Sequence, residues 1–254
     1  MREKPIIETG VGTTLSLACN QVAAGAGFAV FRGAVGIGKS FALDRITREL
    51  EEQGVMVVKV TATEATSGNI NAFLRSILGQ YHTETGSSSD AEEAVWMLLS
   101  GRPFMSGGQL VILIVDEAQK LAGRVLETVR GLWDRGDDAR LGNSSAPAFG
   151  CALVGNPTFM SKGGAQRTAA FEPLLSRLTH NMRLPGPNRA ECQAFATTVY
   201  PDAERSTVLA EGGQIIGNMR GMATAARSAE LLAGDGPVTV AHIRLAFKMM
   251  GVKI

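Results

Sequence analysis

The sequence predicts an α/β fold in which a parallel sheet is sandwiched by helices and a small all-helical domain follows. Three patterns carry that reading. Short apolar runs suited to strands alternate with stretches of helical periodicity, as βαβ units require. One run, residues 110–115 (LVILIV), is aliphatic throughout, which is how a strand covered on both faces reads. After Pro185-Gly186-Pro187 only helical periodicity remains, so a hinge is expected there. It divides the chain into a core at 1–186 and a helical domain at 187–254.

The elements follow in order. Residues 28–31 form the first apolar run and end in a Gly-rich turn. A helix is expected from Lys39 to about residue 53, with Phe41, Leu43, Ile46 and Leu50 as one buried stripe. A strand at 55–60 and a helix at 69–80 come next, and 83–90 (TETGSSSD) reads as a polar loop. Residues 91–100 form a helix with Val95, Leu98 and Leu99 inward, followed by the strand at 110–115, a helix at 123–134 and a strand at 149–154. Residues 135–147 (RGDDARLGNSSAP) read as a surface insertion or a partner-binding loop. In the tail, helices are expected at 188–199, near 204–211, at 219–232 and at 240–249, the last with Thr239 as its N-cap.

Composition bounds the function. Hydrophobic residues make up 45% and charged residues 19%, which suits a folded domain rather than a disordered one. A formal net charge of +1 means that any nucleic-acid contact must come from a local patch. At 6%, aromatics are too sparse for a surface that stacks unpaired bases. Cys19, Cys151 and Cys192 are odd in number and far apart, so reduced thiols are expected rather than a disulfide framework or metal site. The start (MREKPIIETG) lacks the apolar stretch of a secretory signal, and 110–115 is too short to cross a bilayer. A soluble, cytoplasmic protein without a membrane partner is the expectation.

Residues 33–40 read GAVGIGKS and match G-x-x-x-x-G-K-[ST] in full, between an expected strand and an expected helix. Gly33, Gly36 and Gly38 let the backbone curl so that its N–H groups face phosphate oxygens, and the helix that follows adds its positive end. In such a loop Lys39 bridges the β- and γ-phosphates and Ser40 offers its hydroxyl to Mg²⁺, with Phe41 beside them. Residues 110–117 (LVILIVDE) deliver two acids at a strand's carboxyl end, where ligands bind in open α/β sheets. Asp116 is the expected Mg²⁺ ligand through water, and Glu117 the group that polarises the attacking water. Adjacent buried carboxylates repel unless a cation intervenes. The strand at 149–154 runs on to Asn156, which either starts a turn before Pro157 or holds the attacking water with its amide; the two motifs upstream favour the second.

GAVGIGKS, VDEAQKL, LVGNP, FEPLLSRL and GNMRGM together resemble an AAA+ ATPase, and more narrowly the phage Mu B transposition protein and related transposon target-selector ATPases. The resemblance covers most of the chain. It implies the P-loop NTPase (AAA+) fold with a helical lid, and ATP and Mg²⁺ as cofactors. IIET, with Ile7, resembles that family's lead-in to the adenine pocket. Arg177 in LLSRL sits where the family carries an arginine finger that acts on the neighbouring subunit's γ-phosphate, and Arg167 in GGAQR is a second candidate. Arg220 in GNMR occupies the lid position that touches nucleotide within the subunit. Two features depart from the Mu protein. The phosphate loop begins at residue 33, so the helix-turn-helix domain that precedes the Mu protein's core is not expected here, and residues 81–103 are nearly uncharged or acidic where that protein is Arg-rich.

The resemblance also implies partners: further copies of the chain in an ATP-dependent ring or helical filament, duplex DNA, a DDE-type transposase and a targeting subunit. For DNA, the segment 61–69 (TATEATSGN) offers Thr63, Thr66, Ser67 and Asn69 as phosphate donors, and Lys59, Arg75, Arg102, Lys120 and Arg124 are the nearest cations. Each cation reads equally as a solvated surface charge, but weak contacts from many subunits on one duplex add. The expected function is an ATP-dependent, sequence-non-specific DNA-binding ATPase that selects a target for a transposase. The alternatives are an ATPase of a secretion or other assembly system and a replication-initiator or clamp-loader-like helper.

Overall fold

A computed structural model describes residues 7–79, 87–100, 109–135, 148–160 and 171–254. Arg102, Arg167, the first half of the segment 83–90 and residues 136–147 lie outside them. In order, the elements are α1 (Gly10–Gly25), β1 (Phe28–Arg32), α2 (Lys39–Glu52), β2 (Met56–Thr61), α3 (Glu64–Ser67), α4 (Ile70–Leu78), α5 (Ser88–Leu99), β3 (Val111–Asp116), a 3₁₀ turn (Ala118–Lys120), α6 (Gly123–Asp134), β4 (Gly150–Gly155), β5 (His180–Arg183), α7 (Arg189–Val199), α8 (Ala203–Ile216), α9 (Met219–Ala233) and α10 (Val240–Met249).

The five strands form one parallel sheet in the order β2-β3-β4-β1-β5. Residues alternate in facing, and both sets are buried. Phe28, Val30, Val58, Val60, Val111, Leu113, Val115, Cys151 and Leu153 pack with Phe73, Leu74 and Ile77 of α4, Val95 and Leu99 of α5, and Val125, Val129 and Trp133 of α6. The alternate residues Ala29, Phe31, Val57, Ile112, Ile114, Ala152 and Val154 are just as inaccessible. Two-sided cover is what an unbroken aliphatic strand demands. Trp133 meets Phe28 edge-to-face at 5.4 Å and donates its indole N–H to the Ala26 carbonyl at 3.1 Å, so its one polar atom is satisfied inside.

Several expectations need correction. Phe41 is 50% exposed, because it stands two residues before Leu43, off the stripe that Leu43, Ile46 and Leu50 bury. Part of the loop expected at 61–69 is the short helix α3, nucleated by a reciprocal cap between Thr63 and Thr66. Ser87 and Asp90 start α5 earlier than expected by the same device.

The chain divides into two compact units. One holds Leu15–Gly33 and Leu43–Arg183. The other holds the described residues up to Thr14 together with Ala34–Ala42 and Leu184–Ile254. The helical tail has its own core of Cys192, Ala196, Tyr200, Leu209, Met222, Ala225, Ile243, Ala246 and Phe247. Its helices start on side-chain caps. Asn188, Asp202, Asn218 and Thr239 accept from the backbone N–H of Glu191, Arg205, Gly221 and His242. Helix α8 runs on through Gly212-Gly213, where the sequence suggested an end. A Cβ at Gly212 would lie 2.3 Å from the Phe247 ring and one at Gly213 2.2 Å from Met222 Sδ, so only hydrogen fits where α8 approaches its neighbours.

Candidate functional site

All five strands point the same way, so the carboxyl ends of β1, β3 and β4 share one edge of the sheet. β3 ends there in Asp116 and β1 in Arg32, directly before the Gly-rich loop. β4 lies between them, so these two strand ends are two strand spacings apart, roughly 10 Å. The Gly33 N–H is tied to the Gly155 carbonyl of β4 at 3.0 Å, which fixes where the loop leaves the sheet.

The loop itself needs its glycines. Gly36 and Gly38 have φ of +81° and +102°, where a side chain is strained. Gly36 is also crowded: a Cβ there would lie 2.8 Å from Asn218 Oδ1 and 3.1 Å from Arg220 Cβ. The Arg220 backbone N–H donates to the Gly36 carbonyl at 3.0 Å, so the first turn of α9 grips the crest of the loop. Lys39 is buried and donates from Nζ to the Ala34 carbonyl at 2.9 Å, which curls its side chain back over the loop. Ser40 follows it in the first turn of α2. The Arg220 side chain and Phe41 are exposed, and Ile7 is half-buried.

Asp116 is 2% exposed and its Oδ1 accepts from the Glu117 N–H at 2.8 Å. Glu117 is one of three described non-glycine residues with positive φ, at 57°. That left-handed residue turns the chain out of the strand into the 3₁₀ turn, which Ala118, fully buried, pins. Glu117 Oε2 accepts from Gln119 Nε2 at 2.6 Å, and Gln119 Oε1 accepts from the Asn156 N–H at 3.0 Å. Asn156 Oδ1 accepts three bonds, from Thr158 N and Oγ1 and from Phe159 N. The turn before Pro157 therefore exists, and it takes only the oxygen of the side chain. Nδ2 has no hydrogen bond among the described residues.

The expected finger, Arg177, lies elsewhere in its unit and is engaged there. Its Nε donates to both carboxylate oxygens of Asp134, at 2.8 and 3.0 Å, and its Nη1 to Pro173 O and Ser176 Oγ. Asp134 is shared with Arg130, which also pairs with Glu127. Glu127 stands first among the groups that hold the Arg130 guanidinium above its ordinary range.

The residues expected to face DNA are largely committed to local structure. Thr66 is buried in its cap, Ser67 Oγ donates to the Lys120 carbonyl, and Asn69 caps α4. Lys59 pairs with Asp44. Arg75 and Arg124 are exposed and Lys120 is half-buried.

Sequence reasoning missed Gln119 and Asn218. Both sit inside the quoted motifs, DEAQ and GNMR; Asn218 carries the local signal of an N-cap, accepting from the Gly221 N–H, but its approach to Gly36 and the bond of Gln119 to Asn156 join residues remote in sequence.

A family model described as an AAA domain matches residues 22–159, more than half of the chain, and the chain belongs to that family. It is a P-loop enzyme of the AAA+ class that hydrolyses ATP. The Aeropyrum pernix ORC2 protein in ADPNP–ADP complexes superposes with a TM-score of 0.65 at 18% identity, over 98% of this chain and 68% of that one. Cdc6p from Pyrobaculum aerophilum gives 0.69 at 12%, over 94% and 65%. Drosophila ORC bound to DNA gives 0.62 at 15%, over 94% and 60%. The chain thus spans about two thirds of the length of these proteins. No curated protein matches it. Among the described residues, no helix is long and apolar enough to cross a membrane.

Proposed function

We propose that the chain is an ATP-switched ATPase that assembles on duplex DNA. In this reading the loop at 33–40 cradles the triphosphate with backbone N–H groups, Lys39 neutralises the β- and γ-phosphates, and Arg220 reaches the nucleotide from α9. Phe41 and Ile7 flank the nucleotide. Ser40 and Asp116 supply a hydroxyl and a buried carboxylate, the hard oxygen donors that suit Mg²⁺, which would offset charge on the transferring phosphoryl group. Glu117 accepts the proton of the attacking water, and the Asn156 amide steadies that water. The observation that carries the reading is the acid pair at the carboxyl end of a fully buried strand, with Glu117 turned out by its positive φ.

The transfer leaves charge on equatorial oxygens that one lysine and one cation offset incompletely, so a guanidinium from a second copy completes the site. Arg177, or Arg167, serves as that group. ATP then joins protomers, and its hydrolysis parts them. The finer role, marking a target for a DDE-type transposase with or without a targeting subunit, is supported by the sequence likeness to target-selector ATPases. A replication-initiator role is supported by the likeness to ORC2 and Cdc6p, and the DNA-bound Drosophila ORC supports DNA as partner in either case.

Co-sedimentation with duplex DNA, with and without a non-hydrolysable ATP analogue, tests the common part. The analogue should raise DNA binding cooperatively, and equal binding in its absence would overturn the switch. Strand transfer by a transposase encoded beside this chain should depend on the chain if the finer role holds.

A further inference from the structure

We propose that Gln119 is the positioning residue that aims Glu117 and ties it to the Asn156 segment. The inference rests on the reading of Glu117 as the proton acceptor in ATP hydrolysis.

The hydrogen-bond chain specifies its own direction. The Asn156 backbone N–H is a donor only, so the Gln119 atom that faces it at 3.0 Å is the carbonyl oxygen. The amide nitrogen must then face Glu117, where an ionised carboxylate is an acceptor only, and the contact there is 2.6 Å. Both ends agree on one orientation of the amide, and a side chain with an acceptor at one position and a donor at the other is needed to satisfy both. Glutamine has that pair of groups at that reach. Glutamate has the acceptor without the donor, and leucine has neither.

The backbone makes the bridge possible. Glu117 at φ 57° starts the 3₁₀ turn, and the Lys120 N–H closes it on the Glu117 carbonyl at 2.9 Å. This tight turn brings the side chain two residues on back beside the carboxylate. The neighbouring strand β4 ends at Gly155, which places the Asn156 amide within reach of the same side chain. Glu117 Oε2 is occupied by Gln119, which leaves Oε1 to accept from water. The Asn156 backbone is held by Gln119 while its Oδ1 is held by Thr158 and Phe159, so Nδ2 is aimed as well. One amide therefore sets the base and the water-steadying group in a common frame, and a displacement of either reaches the other through it.

The test uses the full chain with steady-state ATP hydrolysis, in the presence and absence of duplex DNA, and titration with a fluorescent ATP analogue. Glu117→Gln serves as the reference and should be inactive. Gln119→Leu should lower kcat roughly 10- to 100-fold, as expected when an acceptor loses its aim. KM and analogue affinity should stay within about twofold, since binding is made by other groups. Gln119→Glu keeps an acceptor for the Asn156 N–H but sets a second carboxylate against Glu117, and should be as slow as Gln119→Leu. A role confined to bracing the Asn156 turn predicts instead that Gln119→Glu turns over normally, and that result would overturn the proposal. So would unchanged kcat in Gln119→Leu, or a loss that falls on KM. If wild type hydrolyses ATP and Glu117→Gln does not, any of these three results removes the role of Gln119 alone. Absence of wild-type turnover under both conditions removes the hydrolytic reading and this proposal with it.

Discussion

Single side chains carry the chemistry, and each tests a different step. Lys39 is buried against its own loop and donates to the Ala34 carbonyl, as a buried charge needs polar partners. Lys39→Ala should abolish ATP uptake in calorimetry, and ATP-dependent assembly with it. Glu117→Gln should keep ATP and stay assembled, which size-exclusion chromatography with ATP would read as a persistent high-mass species. The thiols give a pH prediction. Burial pushes Cys19 up from its ordinary value of 9.0 to about 12, and Cys151 higher still. Both stay protonated in the folded chain while the unfolded chain ionises, so their effect is absent below pH 9.0 and stability falls as pH rises from there towards 12. The folded chain should therefore resist alkylation at both cysteines at neutral pH, and urea should expose them.

At the scale of elements, α6 links the core to the candidate finger. Trp133 on this helix fills space against Phe28 and satisfies its N–H on Ala26, so Trp133→Ala should cost about 3–5 kcal/mol in urea unfolding. One turn-end residue further on, Asp134 holds Arg177. That ion pair is about one third exposed and is worth under about 1 kcal/mol, so it orients the arginine more than it stabilises the fold. Much of this level is legible in the sequence. Helix α6 runs over the span its periodicity predicts, since Val125, Val129, Leu132 and Trp133 form a stripe of large residues. Helix α1 was not predicted although Val11, Leu15, Cys19 and Val22 keep helical spacing, because small residues fill most of its other positions and blur the contrast. Strand β5 was missed because its residues, His180–Arg183, are only half-buried or exposed and carry no apolar run.

For the whole molecule the decisive prediction is a mixing experiment. Arg177→Ala keeps its own acids and Glu117→Gln keeps its own arginine. Alone, Arg177→Ala should hydrolyse ATP slowly and Glu117→Gln not at all. Combined, they should recover part of the wild-type rate, because copies with Glu117→Gln lend Arg177 to intact sites next door. Additive rates without recovery would place the finger elsewhere, with Arg167 the next to test.

The motifs GAVGIGKS and LVILIVDE by themselves pointed to a P-loop ATPase, the class to which the family match assigns the chain. Loop curvature, helix start and strand burial depend on neighbours along the chain, so a local pattern records them. Tertiary structure alone decided that Arg220 grips Gly36 through its backbone, that Asp134 occupies Arg177, and that Gln119 joins Glu117 to Asn156. It also grouped Ala34–Ala42 with the helical tail, where sequence periodicity marks a single break at 187. Each of these is a contact between residues far apart in sequence, or an amide orientation set by two partners at once, and hydrophobic periodicity has no way to register either.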